Sequence, residues 1–538
     1  MTMHRTALRP TLLALVLMGL SSQAIAATQG FAGPFDGGLK WIDGADLAEP
    51  WIPSAVTFGA RDELVWVGTQ VGSRKLLAYA APELGVAAPV YQDPAIGLAS
   101  HVLDLAAGPK GDQLFSLAHY PEPDLLHRRT VVARHSALHL GGGGDFSPEW
   151  SHPFPFVANG PALLAVDGAG DELVAAAFDD QTGSVHLRRL DGRSGATIFA
   201  LDFVGAGLQA LELSEDGERT VMAIGSRLLI LDANGVVLHD QTLGKHAVTL
   251  ALSADGSRLV AGFVGALRVY DEIGANYSLT HLTQASNDQV ASRVAVSAAG
   301  ETYAAAWWHF RQLDVLRLEV YEGMTHVVLN QIIQNGSMGS LQNAPVAVDM
   351  TADGRRIAFA SWGRGDMAPE VILLERGQTE PVLKINLPGS AMGLDLDASG
   401  TRLAVVTKNL HANQFGSTGE VRLYDTGERD VTLLAPARLG TSLEVATRRE
   451  GASFALFLTG NRSPLPTHPA GTSGSLWLLR NDRLQVSAVM ADAQGEATLS
   501  TPIPSSPALL GLNLSVQVAH RASGSLFLSE TVLDPLFY

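Results

Sequence analysis

The chain has 538 residues, 46% of them apolar, with 55 glycines, 26 prolines, no cysteine, and 37 Lys plus Arg against 54 Asp plus Glu. That length allows several domains, or one large repeat domain with a satellite, so core size does not limit stability. A net charge of −17 repels phosphate backbones and anionic headgroups and argues against nucleic-acid and membrane-surface partners; the missing cysteine excludes disulfides, thiolate metal sites and a Cys nucleophile.

The first element in chain order is a targeting segment. His4, Arg5 and Arg9 make a basic start, residues 11–20 are apolar, and Ala24-Ile25-Ala26 precedes Ala27, the pattern of a secretory signal peptide over 1–26. The apolar run falls far short of the ~20 residues a spanning helix needs, and no later stretch is long enough. The expectation is a chain exported to the periplasm or beyond, without membrane insertion. Loss of 1–26 removes Arg5 and Arg9 and no acid, so the mature charge becomes −19.

A phrase then recurs: an apolar strand, a small turn centred on Gly, and a second apolar strand. Its clearest copy is VTLALSADGSRLVAGF (248–263), with relatives at 208–225, 346–363 and 392–409 and looser copies at 293–308, 163–178, 103–118 and 55–69. The turn positions are Arg61, Gly111, Gly170, Gly217, Gly256, Gly300, Gly354 and Gly400, spaced by 39 to 59 residues. Glycine takes positive φ without steric cost and Asp bonds its own backbone, so Asp-Gly and Ala-Gly suit hairpins. A third strand often ends in Asp, as in ALRVYDE (266–272), EVRLYDT (420–426), RLLILDA (227–233) and VHLRRLD (185–191), and a less regular fourth follows, as in EPVLKINL (380–387). Four strands per repeat is the content of one propeller blade. The expected fold is all-β: an eight-bladed β-propeller, or a seven-bladed one if the copy at Arg61 belongs to a closing blade or a separate N-terminal segment. A solenoid or β-helix is the competing repeat, though its periods are usually shorter and more uniform.

The phrase S-x-DG-x-x-L-V followed by V-Y-D resembles the WD-repeat-like and YVTN-type β-propellers of exported bacterial proteins, over residues 31–437. Tyr270-Asp271 and Tyr424-Asp425 stand where a WD repeat has Trp-Asp, and the Gly-His pair is missing. From about 439 the repeat fails. SLEVATRR (442–449), SFALFLTG (453–460), a Pro/Gly-rich loop (462–474) and further short alternating strands to 532 predict a small antiparallel β-sandwich over 439–538. DAQGEATLSTPIPSSPALLGLNLSVQV (492–518) resembles a C-terminal sandwich of secreted bacterial proteins, which implies an accessory or adhesion role.

The propeller resemblance implies that the Asp-Gly turns lie on one face and are structural. The loops after the second strands, with those between blades, form the other face, where binding sites usually sit. The candidate ligand-binding residues there are His119, Asp179, Trp308, His309, Trp362, Arg364, Lys408 and His411. Trp307-Trp308-His309-Phe310-Arg311 is the densest aromatic group; alternation buries one Trp and presents the other with His309, and Trp beside Arg suits stacking on a sugar or gripping a side chain. Trp362 and Arg364 hold the matching place one repeat later.

Other motifs carry less. Asp395-x-Asp397-x-Ser399-Gly400 imitates a calcium loop, but its acids alternate with Leu along a strand and its twelfth position is Val406, not Glu. His135 and His139 are spaced for a metal on one side of a strand, yet read as loop histidines. No G-x-S-x-G elbow and no His-Glu-x-x-His occurs, so no catalytic residue, metal or cofactor is assigned. The reading is a non-catalytic binding or scaffold protein for a protein or glycan ligand. Its alternative is a propeller hydrolase, lyase or lactonase, which would show a buried cluster of His, Asp, Glu or Arg with shifted protonation at the central funnel.

Overall fold

A computed structural model describes residues 39–44, 50–59, 64–72, 75–80, 89–92, 100–108, 113–122, 128–136, 148–157, 160–204, 207–274, 276–312, 315–335, 342–363, 368–378, 380–397, 400–411, 414, 416–426, 431–433, 442–448, 452–460, 462–467, 472–473, 476–478, 485–491, 496–506, 515–522 and 525–533. Among them there is no helix, and the strands assemble into repeated four-stranded antiparallel sheets, eight in all. Each recurring phrase supplies the first two strands of one sheet. The fifth sheet is representative: Ala247–Leu252, Arg258–Phe263, Ala266–Ile273 and Asn276–Gln284 follow one another in sequence and in space.

Burial grades across each sheet as the hydrophobic pattern requires. Second strands are enclosed on both faces, as in Arg356–Ser361, whereas the fourth strand Thr197–Val204 alternates exposed and half-buried residues. The first strand of each sheet packs against the first strand of the next, and Ala391–Leu396 of the eighth packs against Trp51–Phe58 of the first, so the inner strands form a closed ring. Apolar side chains fill the space between neighbouring sheets. Ala304, Ala306, Leu316 and Leu318 meet Ile357, Phe359, Ile372 and Leu374 between the sixth and seventh. Val65, Val67, Leu77 and Trp51 meet Ala404, Val406, Val421 and Leu423 between the first and eighth.

The ring closes through an exchange of chain ends. The eighth sheet takes Ala391–Leu396, Arg402–Lys408 and Gly419–Asp425 from the end of the repeat, and its outer strand is Leu39–Asp43, paired antiparallel with Gly419–Asp425. The copy at Arg61 builds a full sheet of its own, from Trp51–Phe58 to Pro89–Gln92. This architecture is that of a β-propeller.

Beyond the ring, Val431–Leu433, Ser442–Arg448 and Glu496–Pro502 form a three-stranded sheet. A five-stranded sheet is centred on Ala452–Gly460, Ser515–Ala522 and Ser525–Leu533. Leu443 and Val445 from the one meet Ala455, Phe457, Val516 and Val518 from the other in a shared core.

Candidate functional site

The two rims of the ring differ in what their polar groups do. At the hairpin rim, a Ser, Thr or Asp three residues before the turn glycine bonds the amide two residues after it: Ser214 to Arg219 at 2.9 Å, Ser253 to Arg258 at 2.9 Å, Thr351 to Arg356 at 3.0 Å and Asp397 to Arg402 at 3.0 Å. The intervening Asp accepts the same hydroxyl and a following amide, as Asp255 does from Ser253 Oγ at 2.8 Å and Ser257 N at 2.9 Å. Arginines then tie sheet to sheet. Arg189 donates to Gly217 O at 2.7 Å, Arg258 to Gly300 O at 2.6 Å and Arg356 to Gly400 O at 2.6 Å. These groups are consumed by the fold.

At the opposite rim lie the ends of the second strands and with them the candidate residues. Asp179 ends Glu172–Asp179 and folds back on its own turn: Oδ1 accepts Gln181 N at 2.9 Å and Oδ2 accepts Thr182 Oγ1 at 2.7 Å. Burial pushes its carboxyl up, but the bonds from Thr182 and Gln181 outweigh this and hold it below the usual range. Its acceptor capacity is spent on shaping the loop.

Trp307 is buried between the fifth and sixth sheets with Arg317 over its ring at 5.3 Å. Trp308 packs half-buried against the core between the sixth and seventh, its ring edge-on to Phe310. Strict alternation therefore sends both rings toward cores on opposite faces, and Trp308 is less presented than the sequence suggested. His309 remains at the rim and bonds Asp288 at 2.7 Å. Ser286 Oγ and then His309 draw the Asp288 carboxyl down to about 2.

Three candidates converge between the seventh and eighth sheets. The Trp362 carbonyl accepts Ser390 Oγ at 2.9 Å and lies 3.4 Å from His411 Nδ1, and Lys408 Nζ donates to Gln414 O at 2.9 Å. Burial lowers the Lys408 ammonium pKa. Sequence reasoning did not find Glu370, a fully buried carboxylate that accepts Leu387 N at 2.6 Å and lies 3.6 Å from His411. It immediately precedes the strand Val371–Glu375, and only its position one residue ahead of an apolar run hinted at it. Arg364 lies outside the described residues.

His119, near the end of Gln113–Pro121, is buried and faces a different setting. Burial, then Arg128, then His101 depress its pKa to about 4; burial, Arg128 and Lys75 do the same to His101. Lys75 itself falls to about 8 through burial and Arg128. His135 is a core histidine bonded to Ser116 Oγ at 2.9 Å; His139 lies outside the described residues. Among the described residues no group of three or more His, Asp or Glu is arranged to hold a metal.

A second feature unseen in the sequence lies on the inner strands. Asp349 accepts Met350 N and Leu396 N, both at 2.7 Å, and Asp395 accepts Phe58 N at 2.6 Å. Each carboxyl thus bonds the backbone of the next inner strand, as Asp104 does with Leu164 N at 3.1 Å. Burial raises both pKa values of the Asp349–Asp395 pair, and the Asp349 charge pushes Asp395 well above the carboxylate range. Two carboxyls that each disfavour the other's charge titrate as a pair. The register that denied a calcium loop at 395–400 is observed: Asp395 is in a strand and Asp397 is bonded to Thr401 and Arg402.

No family model matches the chain, and no curated protein matches it. Among solved structures it is similar to Sqt1 of Saccharomyces cerevisiae, a WD40 β-propeller, at 12% identity and a TM-score of 0.52, over 72% of this chain and 99% of that one. Lower scores relate it to the propeller of Dos1, at 13% identity and 0.49 over 73% and 96% of the two chains. The β-propeller domain of Cps50 (Swd1) from Myceliophteria thermophila follows at 14% and 0.41, over 60% and 97%. At such identity the likeness to Sqt1 speaks to fold alone.

Proposed function

We propose that the chain is an exported, non-catalytic propeller of eight blades that binds or scaffolds a protein ligand on the rim where its second strands end. In this reading residues 1–26 direct export, and the sheets after 431 form an accessory β-sandwich. One observation carries it: the rim where the second strands end gathers His119, His309, Trp362 and His411 from four sheets. Residues drawn from separate blades onto one rim suit recognition of an extended surface. The test is affinity capture by chain 27–538, followed by His309→Ala with His411→Ala on this rim and Glu218→Ala with Asn234→Ala on the hairpin rim. Loss of the same partner in the first variant alone supports the reading, whereas equal retention in both removes it. A glycan array run in parallel decides whether a sugar replaces the protein. N-terminal sequencing of exported material should begin at Ala27.

The enzyme alternative is favoured by one observation, the two carboxyls Asp349 and Asp395 placed on neighbouring inner strands, each bonded to the backbone of the next strand. Turnover in a hydrolase and lyase panel that disappears in Asp395→Asn would shift the assignment there.

A further inference from the structure

A cavity of about 430 Å³ opens on the outer wall of the ring, between Val328–Asn335, the outer strand of the sixth sheet, and the outer half of the seventh. Residues two apart on a strand share a face, so Ile332 shares the face of Asn330 and Gln334. Both of these bond across to the seventh sheet: Gln334 Nε2 donates to Pro369 O at 2.8 Å and Asn330 Nδ2 to Glu375 O at 3.3 Å. Those bonds hold the two sheets together on either side of Ile332, which with Ile372 reaches from the cavity into the core between the sheets. Gln331, Ile333 and Asn335 alternate with that face, and Gln331 turns back to bond Glu319 at 2.9 Å. What these three give the cavity is the edge of their strand.

Among the described residues that edge pairs with no other strand: Val328–Asn335 ends its sheet and is laddered to Val315–Glu322 alone. Every second residue of an antiparallel edge strand turns its N–H and C=O away from its partner. The neighbouring outer strand, Leu383–Ile385, is three residues long and pairs with Val371–Leu373 instead. Groups spaced in this way are met by another extended backbone, and the eighth sheet shows the ring accepting one, since its outer strand Leu39–Asp43 is added from a remote part of the chain. The side chains narrow the class further. Among the described residues no aromatic ring lines the cavity, so a sugar has no platform to stack on. The only charges on that lining, Lys384 and Glu380, stand 3.8 Å apart at the surface. They offset one another, so the mouth matches an uncharged occupant better than a phosphate or a carboxylate. Ile333, 56% exposed, adds an apolar lip.

We propose that this cavity takes an extended, uncharged segment of a protein partner, which adds as a strand to Val328–Asn335 and lodges an aliphatic side chain between Ile332, Ile372, Pro369 and Pro381. Main-chain bonds along the edge supply affinity, and the apolar pocket selects the side chain. The volume is within the range of about 300–1,000 Å³ that ligand pockets occupy. This site uses none of the rim residues of the proposed function and stands or falls separately from it.

The test uses the whole chain 27–538 and a pool of hexapeptides, capped at both ends, in which isoleucine, leucine or valine alternates with serine or threonine. Peptides retained by the chain are titrated calorimetrically, and amide hydrogen exchange reads where they sit. They should slow exchange within residues 331–335, and the same peptides methylated at every backbone nitrogen should bind about tenfold more weakly or worse, having lost their ladder donors. Ile333→Lys, a charge at an exposed edge position, should weaken the peptides about tenfold or more with circular dichroism unchanged. Ile198→Lys, exposed on the outer strand of the third sheet, should change nothing, and His309→Ala with His411→Ala should leave binding intact. No retained peptide, no protection at 331–335, equal binding of the methylated peptides, or an equal loss in Ile198→Lys overturns the site; loss in the histidine variant places the segment on the rim and overturns it too. Maltose binding abolished by Ile333→Lys, or a dimer of this chain that Ile333→Lys dissolves, with no peptide bound, overturns the assignment to a partner's segment.

Discussion

At the scale of single residues, the repeated phrase is a set of local bonds. In S-x-D-G-x-R, Ser closes the turn, Asp caps it, Gly turns the chain at positive φ, and Arg reaches out; Gly256 has φ of 72° and Gly354 of 67°. A Cβ at Gly256 would meet Arg219 Cγ at 2.5 Å, whereas one at Gly183, also at positive φ, meets nothing within 4 Å. Gly183→Ala should therefore cost only the left-handed backbone term, ~1 kcal/mol, and Gly256→Ala about 1–3 kcal/mol more through displaced packing, as measured by urea midpoints. His135 gives a pH test. Its folded pKa, lowered to about 4 by burial, lies below its unfolded value, so its stabilisation is complete above pH ~6.5 and is lost as pH falls toward 4, by about 3 kcal/mol. His135→Gln should flatten the drop in melting temperature between pH 7 and 5; an unchanged slope would show that the ring charges without cost. Trp308→Ala should lower stability by about 2–4 kcal/mol because the ring packs on the core between two sheets.

At the scale of elements, the strands from each hairpin were legible because alternation and turn chemistry agree. ALRVYDE lies within Ala266–Ile273 and RLLILDA covers Arg227–Asp232. The fourth strands were less legible, since one such as Thr197–Val204 lies half in solvent. The closing strand was not legible at all: Leu39–Asp43 finds its partner Gly419–Asp425 almost four hundred residues away. Deleting 39–43 should cost about 3–5 kcal/mol from lost ladder bonds and leave an unpaired edge prone to association, visible as a lower urea midpoint and a larger species in gel filtration. The inner strands supply the opposite pH dependence to His135. Asp395 has a folded pKa raised above its unfolded value, so its contribution is complete below the unfolded pKa and is lost as pH rises through the folded one. Asp395→Asn keeps an oxygen for Phe58 N and should make the melting temperature less sensitive to rising pH between 5 and 9; a parallel fall in both proteins would mean that the two carboxyls do not titrate as a pair.

At the scale of the whole molecule, ring closure decides what the rims can do. Inter-sheet arginine bonds on one rim fix the sheets to one another, and the second-strand ends of separate sheets come to a common level on the other. The sheets beyond the ring share their own core, Leu443, Val445, Phe457 and Val518, with no member drawn from the ring among the described residues. A chain ending at residue 430 should therefore keep its β-sheet circular dichroism and unfold cooperatively within a few degrees of the full chain. Loss of that transition would show that the two parts fold together.

Sequence by itself determined the repeat, the hairpins, the all-β class and the rim on which the second strands end, because each depends on contacts within about fifty residues and on backbone rules that individual glycines and aspartates obey. With the propeller resemblance it also pointed to the loops around His119, Trp362, Lys408 and His411 as candidates. Tertiary structure alone decided which of them meet. Glu370 beside His411, the pairing of Asp349 with Asp395, and the convergence of Lys75, His101, His119 and Arg128 all join residues from different strands or different sheets. No periodicity records such meetings, since they are set by the register between strands and by how each sheet packs on the next.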